Sequence, residues 1–250
     1  MLIQNNQIDL KTPTGTMRCY VYRPKENDVK TDKKYPAILL YSEIFQHTSP
    51  IRRSAQIMAG HGFIVVVPEV FHELNPIGTV LGYDDAGRDK GNADKVAKYL
   101  EAHDGDTQAM VDYIKQLPYF SGKIGALGFC LGGGLAYRAA INPAISATSC
   151  FYATDIHSGL TPSLAGNDSR TRTHEIRGEL QMIWGKQDPH IPPEGRAIVY
   201  KGLVDANVKF EWHEVNGVHA FMRDEGERYD AELQLWGYQT AIGFFRSNLY

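Results

Sequence analysis

With 250 residues, 43% of them hydrophobic and 22% charged, the chain lies in the ordinary globular range, and one large α/β domain over residues 1–250 is expected. A formal net charge of -3 offers no broad basic field, which argues against nucleic-acid binding and for a small-molecule ligand. Three scattered cysteines are too few for a disulfide framework and fit a reducing cytoplasm. No basic-then-apolar leader and no run of about 18 apolar residues is visible, so neither export nor a membrane span is expected.

In chain order, β-rich runs fall at residues 17–22, 37–41, 63–67, 124–127, 145–152, 180–184 and 208–215. Several are continuously apolar, as strands buried on both faces of a parallel sheet read. Helical patterns interleave at 51–59, 93–100, 107–116, 133–140, 194–205 and 231–245. Alternating strands and helices predict an open, mostly parallel, doubly wound sheet flanked by helices, with the first strand antiparallel at one edge. Two long segments, 68–92 and 153–178, read as irregular, and loops of that length usually serve function. His157 and His174, in the second, read as exposed polar loop residues.

The densest signal is residues 123–136, where an apolar strand runs into Gly128-Phe129-Cys130-Leu131-Gly132-Gly133 and then a small-residue helix start. This spacing is a nucleophile elbow with cysteine in place of serine: a tight strand-to-helix turn whose flanking glycines admit close backbone approach. A thiol there projects near the positive end of the following helix, which favours a thiolate. Cys19 and Cys150, each inside a strand, read instead as small buried apolar residues.

An elbow nucleophile expects an acid after a later strand and a histidine after the last one. Asp188 follows the strand at 180–184 in Gly185-Lys186-Gln187-Asp188-Pro189, and His219 follows the strand at 208–215 in Asn216-Gly217-Val218-His219. Taken singly, each could be a turn residue. Together, in this order, they place three reactive groups at the carboxyl ends of parallel strands, where ligands of open α/β sheets bind. The other histidines have no such context, and no H-E-x-x-H or C-x-x-C spacing suggests a metal; no cofactor is expected.

These residues resemble the cysteine-nucleophile branch of the dienelactone hydrolase family of α/β-hydrolases over nearly the whole chain. The resemblance rests on Glu43-Ile44-Phe45, residues 128–133, Trp184 to Asp188, and Gly217-Val218-His219-Ala220-Phe221 with Arg223 following. It implies a triad of Cys130, Asp188 and His219 and an oxyanion hole from the backbone N–H groups of Leu131 and Ile44. It further implies that Glu43 hydrogen-bonds the resting thiol and takes its proton, and that Arg223 grips a substrate carboxylate, with Arg88 as a second arginine. The expected substrate is a small ester or lactone, cleaved through a thioester acyl-enzyme. The rivals are a general carboxylesterase acting on neutral esters and a redox-sensing protein that uses Cys130 alone.

Overall fold

The computed structural model describes residues 1–25, 33–158 and 168–250. Eight strands form one sheet: β1 (Ile3–Thr12), β2 (Gly15–Pro24), β3 (Tyr35–Tyr41), β4 (Ile64–Pro68), β5 (Phe120–Phe129), β6 (Ile145–Phe151), β7 (Glu179–Gly185) and β8 (Phe210–Val215). Their order is β1-β2-β4-β3-β5-β6-β7-β8. The pairings β1–β2 and β2–β4 are antiparallel and all others are parallel. The continuously apolar strands β3 and β4 are buried at every position, as two-sided coverage requires.

Helices α1 (Ser49–Gly60), α2 (Asp85–Ala97), α3 (Leu100–Lys115), α4 (Leu131–Ala139), α5 (Pro193–Asp205) and α6 (Ala231–Leu249) cover the two faces. Strand β5 shows the division, because side chains alternate faces along it. A Cβ on Gly125 would meet Phe245 and Leu249 of α6 at 2.8 and 3.0 Å, whereas one on Gly128 would meet Gly132 of α4 at 1.8 Å. On the first face, Ser54 of α1 bonds Tyr238 of α6 at 2.7 Å. On the second, Arg138 of α4 grips Asp104 of α3 through bonds of 2.8 and 2.7 Å.

Three sequence expectations change. The run at 17–22, expected at the sheet edge, is antiparallel but sits one strand in, because β1 pairs outside it. Strand β1 reads IQNNQIDLKT, too polar to announce itself, and is mostly half-exposed or exposed, as an edge strand can be. The segment 68–92, expected to be irregular, contains most of α2. Its sequence hides the helix behind Gly87, Gly91 and six charges, although Asp84 caps it by accepting a 2.7 Å bond from Gly87 N–H. Finally, the helix expected at 93–100 spans a break between α2 and α3. Lys98 lies at that break with its ammonium buried, donating to Val70 O, Glu73 and Asp106 at 2.7, 2.8 and 2.5 Å.

Candidate active site

Strand β5 ends at Phe129, and Cys130 begins α4 with φ 58° and ψ -120°, a left-handed conformation that is strained for a residue with a side chain. The surrounding contacts impose it. A Cβ on Gly128 would lie 1.8 Å from Gly132 O, and one on Gly132 would lie 2.1 Å from Tyr41 O, so only glycine fits either place. Backbone bonds fix the turn: Cys130 N–H donates to Phe151 O at 3.1 Å, and Cys130 O accepts from Gly133 and Thr154 at 3.0 and 3.1 Å. Leu131, as the first residue of α4, carries one of the amides a helix leaves without an intrahelical acceptor.

Asp188 and His219 come from the loops after β7 and β8, which are laced together. Lys186 N–H donates to Val215 O at 2.8 Å and Gln187 N–H to Gly217 O at 3.0 Å. The side chains meet as a result. His219 Nδ1–H donates to Asp188 Oδ2 at 2.7 Å, leaving Nε2 for the hydrogen bond with Cys130, and Asp188 Oδ1 accepts from His190 N–H at 2.8 Å. Both residues are buried. Burial opposes a charge on His219, but the pull of Cys130 and Asp188 outweighs it and raises the imidazole to about 10.

Glu43 is 3% exposed in the turn after β3, and burial raises its carboxyl above the usual value against the opposing pulls of Arg223 and His219. It accepts a 3.2 Å bond from Tyr83 OH, and its Oε1 lies 3.8 Å from Arg223. Tyr83 OH is bonded in turn to Thr48 at 2.8 Å. Among the described residues the hydrogen bond of Glu43 goes to Tyr83 rather than to the Cys130 thiol. Arg223 is not an exposed member of the charged run that follows it. Its side chain is 13% exposed, its guanidinium stacks 4.2 Å from the Tyr83 ring centroid, and its Nε–H donates to Glu225 O at 3.0 Å.

Cys130, His219, Glu43, Ile44, Arg223 and Arg88 all line one cavity of about 510 Å³. Arg88 sits at its rim with its side chain 54% exposed and its guanidinium bonded to Asp85 at 2.7 Å and Asp89 at 3.0 Å. Ile44 is held from behind by α2, where a Cβ on Gly91 would come 2.8 Å from Ile44 O.

Several lining residues carried no signal strong enough to be singled out in the sequence. Tyr83 and Arg228 sit in segments that read as loop and charged run. His190, in the turn after Asp188, packs edge-to-face on His219 with ring centroids 4.6 Å apart, so it does share the active-site context. Of the two histidines expected in an exposed loop, His174 is exposed, whereas His157 is half-buried with an unpartnered Nδ1. Residues 159–167 of that segment lie outside the described residues.

Among the described residues one group has metal-ligand proximity: His72, Glu73 and Asp106 place their donor atoms within 4.8 Å of one another. The Lys98 ammonium already lies among them, bonded to both carboxylates, so the cation this donor set would attract is supplied by the chain. The residues do not fit a metal. No helix among the described residues is long and apolar enough to cross a membrane.

Comparison with known proteins assigns the chain to a family. The model of the dienelactone hydrolase family matches residues 17–249. A Saccharomyces cerevisiae protein provisionally named carboxymethylenebutenolidase is 41% identical over 98% of this chain and 90% of its own length. A Pseudomonas putida carboxymethylenebutenolidase is 27% identical over 84% of each. Among solved structures, a provisionally assigned dienelactone hydrolase from Klebsiella pneumoniae superposes with a TM-score of 0.80 at 20% identity, covering 98% of this chain and 99% of its own. A dienelactone hydrolase-like promiscuous phosphotriesterase from metagenomic libraries superposes over the whole of both chains with a TM-score of 0.78 at 18% identity. The chain therefore has an α/β-hydrolase fold and belongs to the dienelactone hydrolase family.

Proposed function

We propose that this protein hydrolyses a small, carboxylate-bearing ester or lactone through a Cys130–His219–Asp188 triad. The observation that carries the reading is one cavity holding Cys130 on its strained turn, His219 on its 2.7 Å bond to Asp188, and Arg223 aimed at a buried carboxylate. Family membership supports the coarser statement, a hydrolase acting on lactones or esters.

The Cys130 thiolate attacks the substrate carbonyl, and the backbone N–H groups of Leu131 and Ile44 receive the oxyanion. His219 gives its proton to the leaving oxygen, so a lactone opens to a thioester carrying the freed hydroxyl. His219 then takes a proton from water as that water attacks the thioester, and the acid is released with the thiolate restored. Asp188 holds the ring tautomer and supports the imidazolium. Thiolate leaves far more readily than an amine anion, so amide substrates are disfavoured.

A substrate carboxylate has a natural seat at Arg223. When it draws the guanidinium away, Glu43 loses a counter-charge, its carboxyl rises further, and it becomes a better acceptor for a thiol proton. Arg228 lines the same cavity and has no ion-pair partner among the described residues, so it is available to the same anion; Arg88 would first have to leave Asp85 and Asp89.

A hydrolysis screen of acidic and neutral lactones, aryl acetates and thioesters with the wild type, Cys130→Ala and Arg223→Ala tests the reading. Cys130→Ala is expected to be inactive on all of them. Arg223→Ala is expected to lower the acidic-to-neutral ratio of kcat/KM by roughly 10 to 150-fold, the worth of one charge-assisted hydrogen bond. Full activity without Cys130 would overturn the mechanism, and an unchanged ratio would favour a general carboxylesterase.

A further inference from the structure

Inside the cavity, among the described residues, the carboxylate neighbour of Arg223 is 3.8 Å away and its guanidinium lies over the Tyr83 and Phe45 rings. What orients the guanidinium is a single directed bond from Nε–H to the backbone carbonyl of Glu225 at 3.0 Å. The position of that carbonyl is therefore the position of the arginine. It lies in the loop after His219, where the chain turns through Gly226 at φ 97° before re-entering α6.

That loop is fastened from outside the cavity. Arg53, on the second turn of α1, donates to both oxygens of Asp224 at 2.6 and 2.7 Å and to Glu225 at 2.9 Å. Three bonds from one guanidinium to two consecutive residues form a bidentate, networked pair, the arrangement in which a partly exposed ion pair has directional value. Pro50, Ile51 and Ser54 of α1 also line one void of about 10 Å³ together with Met222 and Arg223, so the helix and the loop border the same space beside the clamp. The chain of contact runs from Arg53 to the Glu225 side chain, through the Glu225 backbone to its carbonyl, and from there to Arg223 Nε.

We infer that Arg53 is a positioning residue for substrate selectivity: by clamping Asp224 and Glu225 to α1 it fixes the carbonyl that aims Arg223 at the substrate carboxylate. The inference rests on the proposed carboxylate seat at Arg223. Arg53 does not line the cavity and touches neither the triad nor Glu43 among the described contacts, so it acts on the acidic substrate through Arg223 and not on the chemistry.

The test is a double-mutant cycle read as the acidic-to-neutral ratio of kcat/KM, with wild type, Arg53→Ala, Arg223→Ala and the double variant. Arg53→Ala is expected to lower the ratio about 10-fold, inside the ~100-fold that a 1 Å misplacement of a binding group can cost, and to do so through KM for the acidic substrate. Neutral aryl acetate turnover is expected to stay near the wild-type rate. In the Arg223→Ala background, adding Arg53→Ala is expected to change the ratio no further. Arg53→Lys, which keeps one charged contact but not the fork, is expected to fall between the two. Should Arg53→Ala fold poorly, Arg53→Lys and Asp224→Asn carry the same comparison.

Equal loss on acidic and neutral esters would make Arg53 a stability residue and overturn the inference. So would an unchanged ratio in Arg53→Ala while Arg223→Ala lowers it. An unchanged ratio in Arg223→Ala itself would remove the carboxylate seat, and the proposed substrate class would fall with it.

Discussion

The cluster around Asp106 and the cluster around Glu43, both buried, are built to opposite specifications. Around Asp106 both carboxylate oxygens are taken, though His72 Nδ1 has no partner among the described residues: His72 Nε2 lies 2.9 Å from one oxygen, Lys98 Nζ lies 2.5 Å from the other, and Lys98 also reaches Glu73 and Val70 O. Despite burial, those partners hold the Asp106 carboxyl below its usual value. Around Glu43 the pairing is loose, with Arg223 at 3.8 Å and a 3.2 Å bond from Tyr83, and burial wins, raising the carboxyl. A carboxylate with both oxygens taken resists anything new. A loosely paired one, opening on a cavity, leaves a cation within reach of the proposed substrate carboxylate.

The contrast predicts that changes in the cavity alter turnover, while changes at the Asp106 cluster alter folding. The largest effect belongs to His219→Ala, expected to cost about 10² to 10⁴-fold in kcat for every ester hydrolysed, the range for lost acid–base help. Wild-type turnover in that variant would remove His219 from the mechanism. Next is Lys98→Met, which leaves the buried Asp106 and the half-buried Glu73 without their shared cation and is expected to destabilise the fold by about 3 to 5 kcal/mol in denaturant titration. Its activity per folded molecule should be retained, since Lys98 does not line the cavity. A stable Lys98→Met protein with altered substrate preference would merge the two clusters into one function.

A third effect is set by pH. The His219 imidazole is raised from 6.5 to about 10 in the folded protein, so its stabilising contribution is complete below about pH 6.5 and is lost as pH climbs toward 10. Cys130→Ala removes one of the two groups that raise it, and the decline in stability above pH 6.5 is expected to be smaller and to end at lower pH in that variant. Identical pH–stability curves for wild type and Cys130→Ala would show that Cys130 does not act on the imidazole. The smallest effect is expected from Glu43→Gln. Replacing a buried, loosely paired carboxylate by a neutral amide should change stability by less than about 1 kcal/mol. Alkylation of Cys130, followed with a thiol reagent, should change instead if Glu43 governs that proton.

How legible this was depended on which physical signal each residue sends. The parallel strands announced themselves as apolar runs, and the elbow did so because Gly128 and Gly132 are sterically required at fixed places beside Cys130. Asp188 and His219 were readable from their positions after β7 and β8. By contrast, α2 was unreadable because its glycines are there for close approach to Gly82 and Ile44, and its remaining face is charged and exposed, so no apolar period survives. Tyr83, Arg228 and His190 reach the cavity through loop geometry, which leaves no spacing in the chain to detect. The same limit applies to Arg53, whose partners lie 171 and 172 residues away.

The contact of Gly132 with Tyr41 O joins what look like separate parts. Tyr41 is the last residue of β3, and the next three residues are Ser42, Glu43 and Ile44. The Cys130 turn is thus seated directly on the stretch of backbone that carries the Glu43 carboxylate and the N–H of Ile44 proposed for the oxyanion. The three share a single reference point and cannot drift independently. Loops elsewhere around the cavity are free to diverge and retune which molecules enter, whereas this seat tolerates change only if all its parts move at once. Redesign of the substrate range therefore has its open ground at residues 83–95 and 223–228, and its fixed datum where the elbow rests on β3.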